Sequence, residues 1–288
     1  MHRSVPRWTL PLAFGTLLAS AALTSRVQDQ GGLKVHEVAG NVSYIEGERG
    51  GNVGVTVGDD GVFVIDTYIP VPEHLEAVER VSKQPVRVVL NTHWHGDHTG
   101  NNAAYGERST IVAHANVRER LLADGKGRPT LPMVTFEDGL TLHLNGEDVS
   151  VRHFAAAHTD GDSVAIFPES KVVHMGDLFF NGRFPYIDLD SGGSVPGFVA
   201  AVAEMLESIP EDYHIIPGHG PLASIADLRA YHAMLVATTD LVAAALKEGK
   251  SAGDMLADGL LAEYEEWSWG FITTERYLAI LTRGLSGK

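Results

Sequence analysis

At 288 residues, with 44% hydrophobic and 20% charged side chains, the chain is long enough to bury one large core or two small ones. A formal charge of −15 and the lack of any basic run exclude a nucleic-acid surface, which needs clustered Lys and Arg. Cysteine is absent, which excludes disulfides, a thiol nucleophile, a zinc–thiolate site and a lipoprotein anchor.

The N-terminus reads as a targeting segment. Arg3 and Arg7 precede an apolar run from Trp8 to Thr24, and Ala19-Ser20-Ala21 fits a small-x-small cleavage site. We therefore expect residues 1–25 to be a cleaved signal peptide and residues 26–288 to form a single domain with C-terminal helices. The mature chain is then periplasmic or secreted, with no stable membrane association. The alternative is a retained anchor, because the run is close to the shortest that crosses a bilayer.

Beyond it, Lys34 to Val38 and Val42 to Glu46 pattern as short strands. Gly47-Glu48-Arg49-Gly50-Gly51 follows, and its three glycines suggest a mobile connection. Asn52 to Val57 and Val62 to Asp66 are strands joined by the hairpin turn Asp59-Asp60-Gly61. Pro72 opens a helix through about Ser82, and an apolar strand then runs to Leu90. Thr110 to Ala113 is a strand, Ala115 to Ala123 a helix, and Asp124 to Pro132 a polar loop. Four further strands lie at Leu140 to Leu144, Val149 to Phe154, Ser163 to Phe167 and Lys171 to Met175. Val195 to Ile209 is helical, Tyr213 to Ile216 a strand, and Ile225 to Lys247 a long helix. The C-terminal part, Ser251 to Leu285, reads as helical throughout. Two β-rich blocks, each followed by helices, predict an α/β fold with helices packed outside two sheets.

Chemistry concentrates in the stretch Asn91 to Gly100, which carries H-x-H-x-D-H as His93, His95, Asp97 and His98 just where a strand ends. Residues two apart in extended backbone project to the same side, so His93 and His95 can share an ion. Gly96 lets the chain turn and send Asp97 and His98 toward a second. Three more candidates, His158, Asp177 and His219, each follow a strand on a loop of Gly or small residues, where a rigid sheet can hold them convergently.

Together these residues resemble the metallo-β-lactamase superfamily from about Val35 to Leu222, with Asp66 ending its strand as the first of five motif regions. The resemblance implies a four-layer αβ/βα sandwich with two metals in a cleft at the sheet edges. It also implies that His93, His95 and His158 hold one ion and Asp97, His98 and His219 the other. Asp177 would bridge them, and Asp66 would brace the ligand loop. Nitrogen-rich sites with one or two carboxylates suit two Zn²⁺, with iron or manganese as alternatives. The implied chemistry is hydrolysis of a small-molecule substrate by a shared, activated hydroxide, with Asp97 orienting the nucleophile and relaying its proton.

For substrate, a β-lactam is the first expectation, a lactone, ester or thioester the second, and a phosphodiester the third. Against the first, Asp177 is unlike most such β-lactamases, and the Lys that often grips the β-lactam carboxylate is replaced by a stretch offering only Asn181 and Arg183. The rival class is a non-catalytic metal binder. Trp94, Phe180, Tyr186, Trp267 and Trp269 are read as packing residues, and Asp188-Leu189-Asp190 as a turn.

Overall fold

The structure, a computed structural model, describes residues 32–286, the backbone of 27–29, and Met1. The expected signal peptide lies almost wholly outside the described residues. Among the described residues, thirteen strands form two sheets. The first runs β1 (Val27–Asp29), β2 (Leu33–Ala39), β3 (Val42–Gly47), β4 (Val53–Gly58), β5 (Gly61–Ile65), β6 (Val86–Leu90), β7 (Thr110–His114) and β8 (Val134–Phe136), in sequence order. Strands β1 to β5 are antiparallel; β5 to β8 are parallel. The second sheet is ordered β13-β12-β11-β10-β9, from β9 (Gly139–Leu144), β10 (Glu147–Phe154), β11 (Asp162–Phe167), β12 (Val172–His174) and β13 (His214–Ile216).

Strand alternation explains the layering. Phe63, Ile65 and Leu90 point inward to meet Val149, Val151, Ala165 and Phe167 of the second sheet. Their neighbours Val62, Val64 and Val89 point outward and are covered by Ala77 and Val78 of α1 (Pro72–Val81). On the far side, Val164, Val173 and Ile215 are buried with Phe198 and Val202 of α2 (Val195–Ser208) and Leu228, Tyr231 and Leu235 of α3 (Ile225–Lys247). Helix, sheet, sheet, helix is the four-layer αβ/βα arrangement that the two β-rich blocks predict.

Three local expectations are corrected. The C-terminal part is not one helical stretch. It divides into a short helix at Ala252–Ala257, a 3₁₀ turn at Ala262–Trp267, a non-helical stretch over 268–273, and a last helix at Thr274–Leu285. The Trp269 amide donates to the Ile272 carbonyl there, a tight reversal around Gly270 that leaves Ile272 buried. Strand β8, hidden behind the polar loop, joins the parallel edge through Val112 to Val134 pairing. The glycines at 47, 50 and 51 are packed in and do not form a free connection: a Cβ at Gly51 would lie 2.1 Å from the His98 ring, and one at Gly50 2.7 Å from Tyr68. No described helix is long and apolar enough to cross a membrane.

Candidate metal centre

Strand β6 delivers the chain to Asn91; His93 follows on a bend, not in the extended backbone expected, and His95 is extended before a single helical turn at Gly96–Thr99. That turn carries Asp97 and His98 toward the same point. His158 comes from the loop after β10, Asp177 from a 3₁₀ turn after β12, and His219 from the loop after β13. The structure brings all seven predicted residues together, in two groups: His93, His95, His158 and Asp177, and Asp97, His98 and His219.

In the first group His95 Nδ1 lies 3.1 Å from His93 Nε2 and 3.0 Å from His158 Nε2. In the second, Asp97 Oδ2 is 3.6 Å from His98 Nε2 and 3.3 Å from His219 Nε2. Asp177 touches both. Its Oδ2 is 3.8 Å from His93, 3.5 Å from His158 and 3.5 Å from His219, and its Oδ1 is 3.1 Å from His98.

The outward nitrogens show what the inward ones must be. His98 Nδ1 is 2.7 Å from Asp66 Oδ2, His95 Nε2 is 2.9 Å from Asp188 Oδ2, and His158 Nδ1 is 2.7 Å from the Tyr186 carbonyl. All three partners only accept, so each outward nitrogen donates its N–H, and a neutral ring then presents a lone pair inward. Lone pairs meeting about 3 Å apart repel unless a cation lies between them. His98 Nε2 and Asp177 Oδ1 are buried without a hydrogen-bond partner, which fits the same need. The residues present therefore suit metal ions, with carboxylates and a carbonyl setting each ring's tautomer.

Asp66 has a second task. Bent to φ 64° at the end of β5, it accepts from the Thr92 amide and hydroxyl, both at 2.7 Å, and so ties the ligand loop to the strand.

Electrostatics follow from burial and mutual proximity. Burial holds the His93 imidazole well below its ordinary value and brings His158 down to about 4. For His98 and His219 burial pulls the same way, but neighbouring carboxylates, Asp177 foremost, outweigh it. His98 is pushed well up, and His219 to about 9. Burial would raise the Asp97 carboxyl, yet His98 and His219 bring it down to about 2. Without metal, protons at His98 and His219 supply the positive charge the carboxylates require.

A cleft of about 600 Å³ opens over the cluster. Several residues read from sequence as packing line it: Trp94, Phe180, Tyr186 and Trp269. Phe180 stacks on His219 with ring centroids 5.1 Å apart, while Trp267 packs against Tyr231 in the core as expected. Sequence reading also missed Asp188. It does cap its turn by accepting from the Ser191 amide, but it also orients His95. No local signal separates those two roles.

The sandwich and the doubled His/Asp cluster between its sheets define a class of metal-binding α/β proteins. Within it the chain belongs to the metallo-beta-lactamase superfamily, whose sequence model matches residues 47–222. It is 29% identical over 178 residues to a hydroxyacylglutathione hydrolase from Polaromonas sp., covering 57% of this chain and 63% of that protein. It is 28% identical over 135 residues to the alpha subunit of a 2,4-dinitroanisole O-demethylase from Nocardioides sp., covering 43% of this chain and 40% of that one. The chain thus spans less than two thirds of either relative. Among solved structures it resembles a metallo-beta-lactamase from Pontibacter korlensis, with TM-score 0.59, 19% identity and coverage of 74% of this chain and 99% of that one. It also resembles a sec-alkylsulfatase from Pseudomonas sp., with TM-score 0.68, 15% identity and coverage of 86% and 49%. At such identities the likeness is one of fold.

Proposed function

We propose that the protein is a dinuclear metallohydrolase that cleaves the acyl bond of a small thioester, ester or lactone. His93, His95 and His158 would hold one ion, Asp97, His98 and His219 the other, with Asp177 shared. The imidazole-rich donor set suits zinc. When bound, a pair of divalent cations would polarise a carbonyl and make water acidic enough to attack near neutral pH. The carboxylate of Asp97, with its side chain 31% exposed, borders the cleft. In this reading it orients the attacking water and takes its proton, which then passes to the departing thiolate or alkoxide. Phe180 and Trp269 beside His219 present an apolar wall that excludes bulk water.

The observation carrying this reading is Asp177, within 4 Å of histidines from both groups. A β-lactam is the second reading, supported by the fold likeness. It is set back because Asn181 donates to the Pro221 carbonyl and Arg183 lies over the Trp269 ring, and neither lines the cleft. Side-by-side hydrolysis of thioesters, lactones, penicillins, cephalosporins and carbapenems tests the order. Turnover confined to the β-lactams would reverse it, and two bound metals with no turnover at all would favour a non-catalytic binder. Export remains part of the proposal on the strength of Arg3, Arg7 and the apolar run. N-terminal sequencing of the secreted or periplasmic fraction should begin near residue 22 to 26; an intact Met1 there would mean a retained anchor, and absence of the protein from that fraction would reject export.

A further inference from the structure

Four arginines on this surface are matched by carboxylates: Arg120 with Asp160, Arg152 with Glu204, Arg229 with Glu211 and Arg283 with Asp190. Arg276 is one of eight described arginines without such a partner, and its position sets it apart. It stands in the first turn of the last helix, beyond the stretch matching the superfamily, and lines the mouth of the cleft. Among the described residues no carboxylate lies within 4.0 Å of it. One Nη donates to the Phe271 carbonyl at 2.9 Å, which orients the guanidinium and leaves its other N–H groups for a ligand. Arg49, likewise without a carboxylate partner among the described residues, lines the same opening from the loop between β3 and β4.

A run of rings joins Arg276 to the His cluster. The guanidinium carbon lies 4.1 Å from the Phe271 centroid, Phe271 is 5.8 Å from Tyr186, and Tyr186 is 5.9 Å from His95. Phe271 is 48% exposed, so part of its ring beside the guanidinium is open at the entrance. The chain as a whole carries −15 and repels anions at long range, so two free guanidiniums at this one opening act as a local exception. Glu48 is the one lining carboxylate outside the cluster and its support Asp188, and it neighbours Arg49.

We propose that Arg276, aided by Arg49, binds an anionic group on the substrate, while Phe271, Tyr186 and Trp269 take a flat apolar body between that group and the scissile bond. Resting on the acyl-hydrolase reading, this deepens it: the substrate class is an acyl compound bearing a carboxylate or similar anion on an aromatic or flat hydrophobic frame. Arg276 is then a specificity residue; it takes no part in proton transfer.

The test measures binding of 2-naphthoate and 2-naphthamide to the metal-loaded protein by quenching of tryptophan fluorescence. We expect naphthoate to bind about tenfold more tightly, the size of one charge-assisted contact. R276Q should abolish that preference by weakening naphthoate alone, and R276K should restore part of it. A preference that survives R276Q would place the anion on the metal centre and overturn the inference. So would equal weakening of both probes, which would make Arg276 a prop for Phe271. Turnover of anionic and neutral aryl thioesters separates the two levels. An intact binding preference with no hydrolysis of either sinks only the hydrolase reading, whereas hydrolysis of both without preference sinks only the Arg276 site.

Discussion

His98 shows how closely single residues are fitted here. Asp66 holds its Nδ1, Asp177 and Asp97 face its Nε2, and the bare Cα of Gly51 passes where a side chain would strike the ring. A Gly51→Ala protein should fold but displace His98, lowering metal content at the second group and kcat/KM by about tenfold or more. Metal analysis beside steady-state kinetics would show this, and unchanged values would mean the loop simply yields. Removing the shared carboxylate is harsher. Asp177→Ala should retain at most one tightly held ion and lose at least about a hundredfold in kcat/KM. Asp188→Asn keeps the shape but no longer demands an N–H from His95, and should weaken metal binding by about 10- to 100-fold. Protons follow the same geometry. Because Asp177 keeps His219 protonated up to about pH 9 in the metal-free protein, metal must expel that proton near neutrality. Zinc titration in weak buffer at pH 7 should acidify the solution, and affinity should fall as pH falls.

At the scale of elements, α1 carries a pH-sensitive anchor. His74, fully buried, is hydrogen-bonded by its Nε2 to the Tyr105 hydroxyl at 2.8 Å, and burial brings its pKa down to about 3. The unfolded chain takes up a proton below about pH 6.5, which the folded state refuses until about pH 3. This contribution is therefore complete above pH 6.5 and lost as pH falls toward 3, at about 1.4 kcal/mol per pH unit. Urea midpoints at pH 7 and pH 5 should drop less in His74→Gln than in the parent. Helix α3 offers a contrast remote from the chemistry. Ser224 and Asp227 form a capping box, and Ser224→Ala should cost about 1 kcal/mol while leaving kcat unchanged. The non-helical stretch over 268–273 belongs to this scale too. It lets Trp269 donate its indole N–H to the Phe184 carbonyl at 3.0 Å while still facing the cleft. A continuous helix would carry these aromatics away.

For the whole molecule, the cluster sits where the two sheets meet. One sheet supplies His93, His95, Asp97 and His98, and the other His158, Asp177 and His219. Bound metal should therefore clamp the two halves, and its binding energy adds to folding energy. Chelation should lower Tm by several degrees, reflecting about 2.7 kcal/mol when free metal stands at a hundred times its Kd. A Tm insensitive to chelator would mean the halves are locked by their apolar interface alone.

Much of this was legible in the chain itself. The strands of both sheets carry their alternation locally, and the spacing of residues 93 to 98 and the strand-end positions of His158, Asp177 and His219 are local as well. Each depends on backbone geometry over a few residues. What the sequence could not convey were relations across distance: Asp188 orienting His95 from 93 positions away, or Trp269 tied to Phe184 across 85. The turn at Asp188 and the aromatics at 267–271 look the same locally whether they face a core or a cleft. Only the packing of one sheet with its helices against the other decides which side chains, Arg276 among them, are left at the opening.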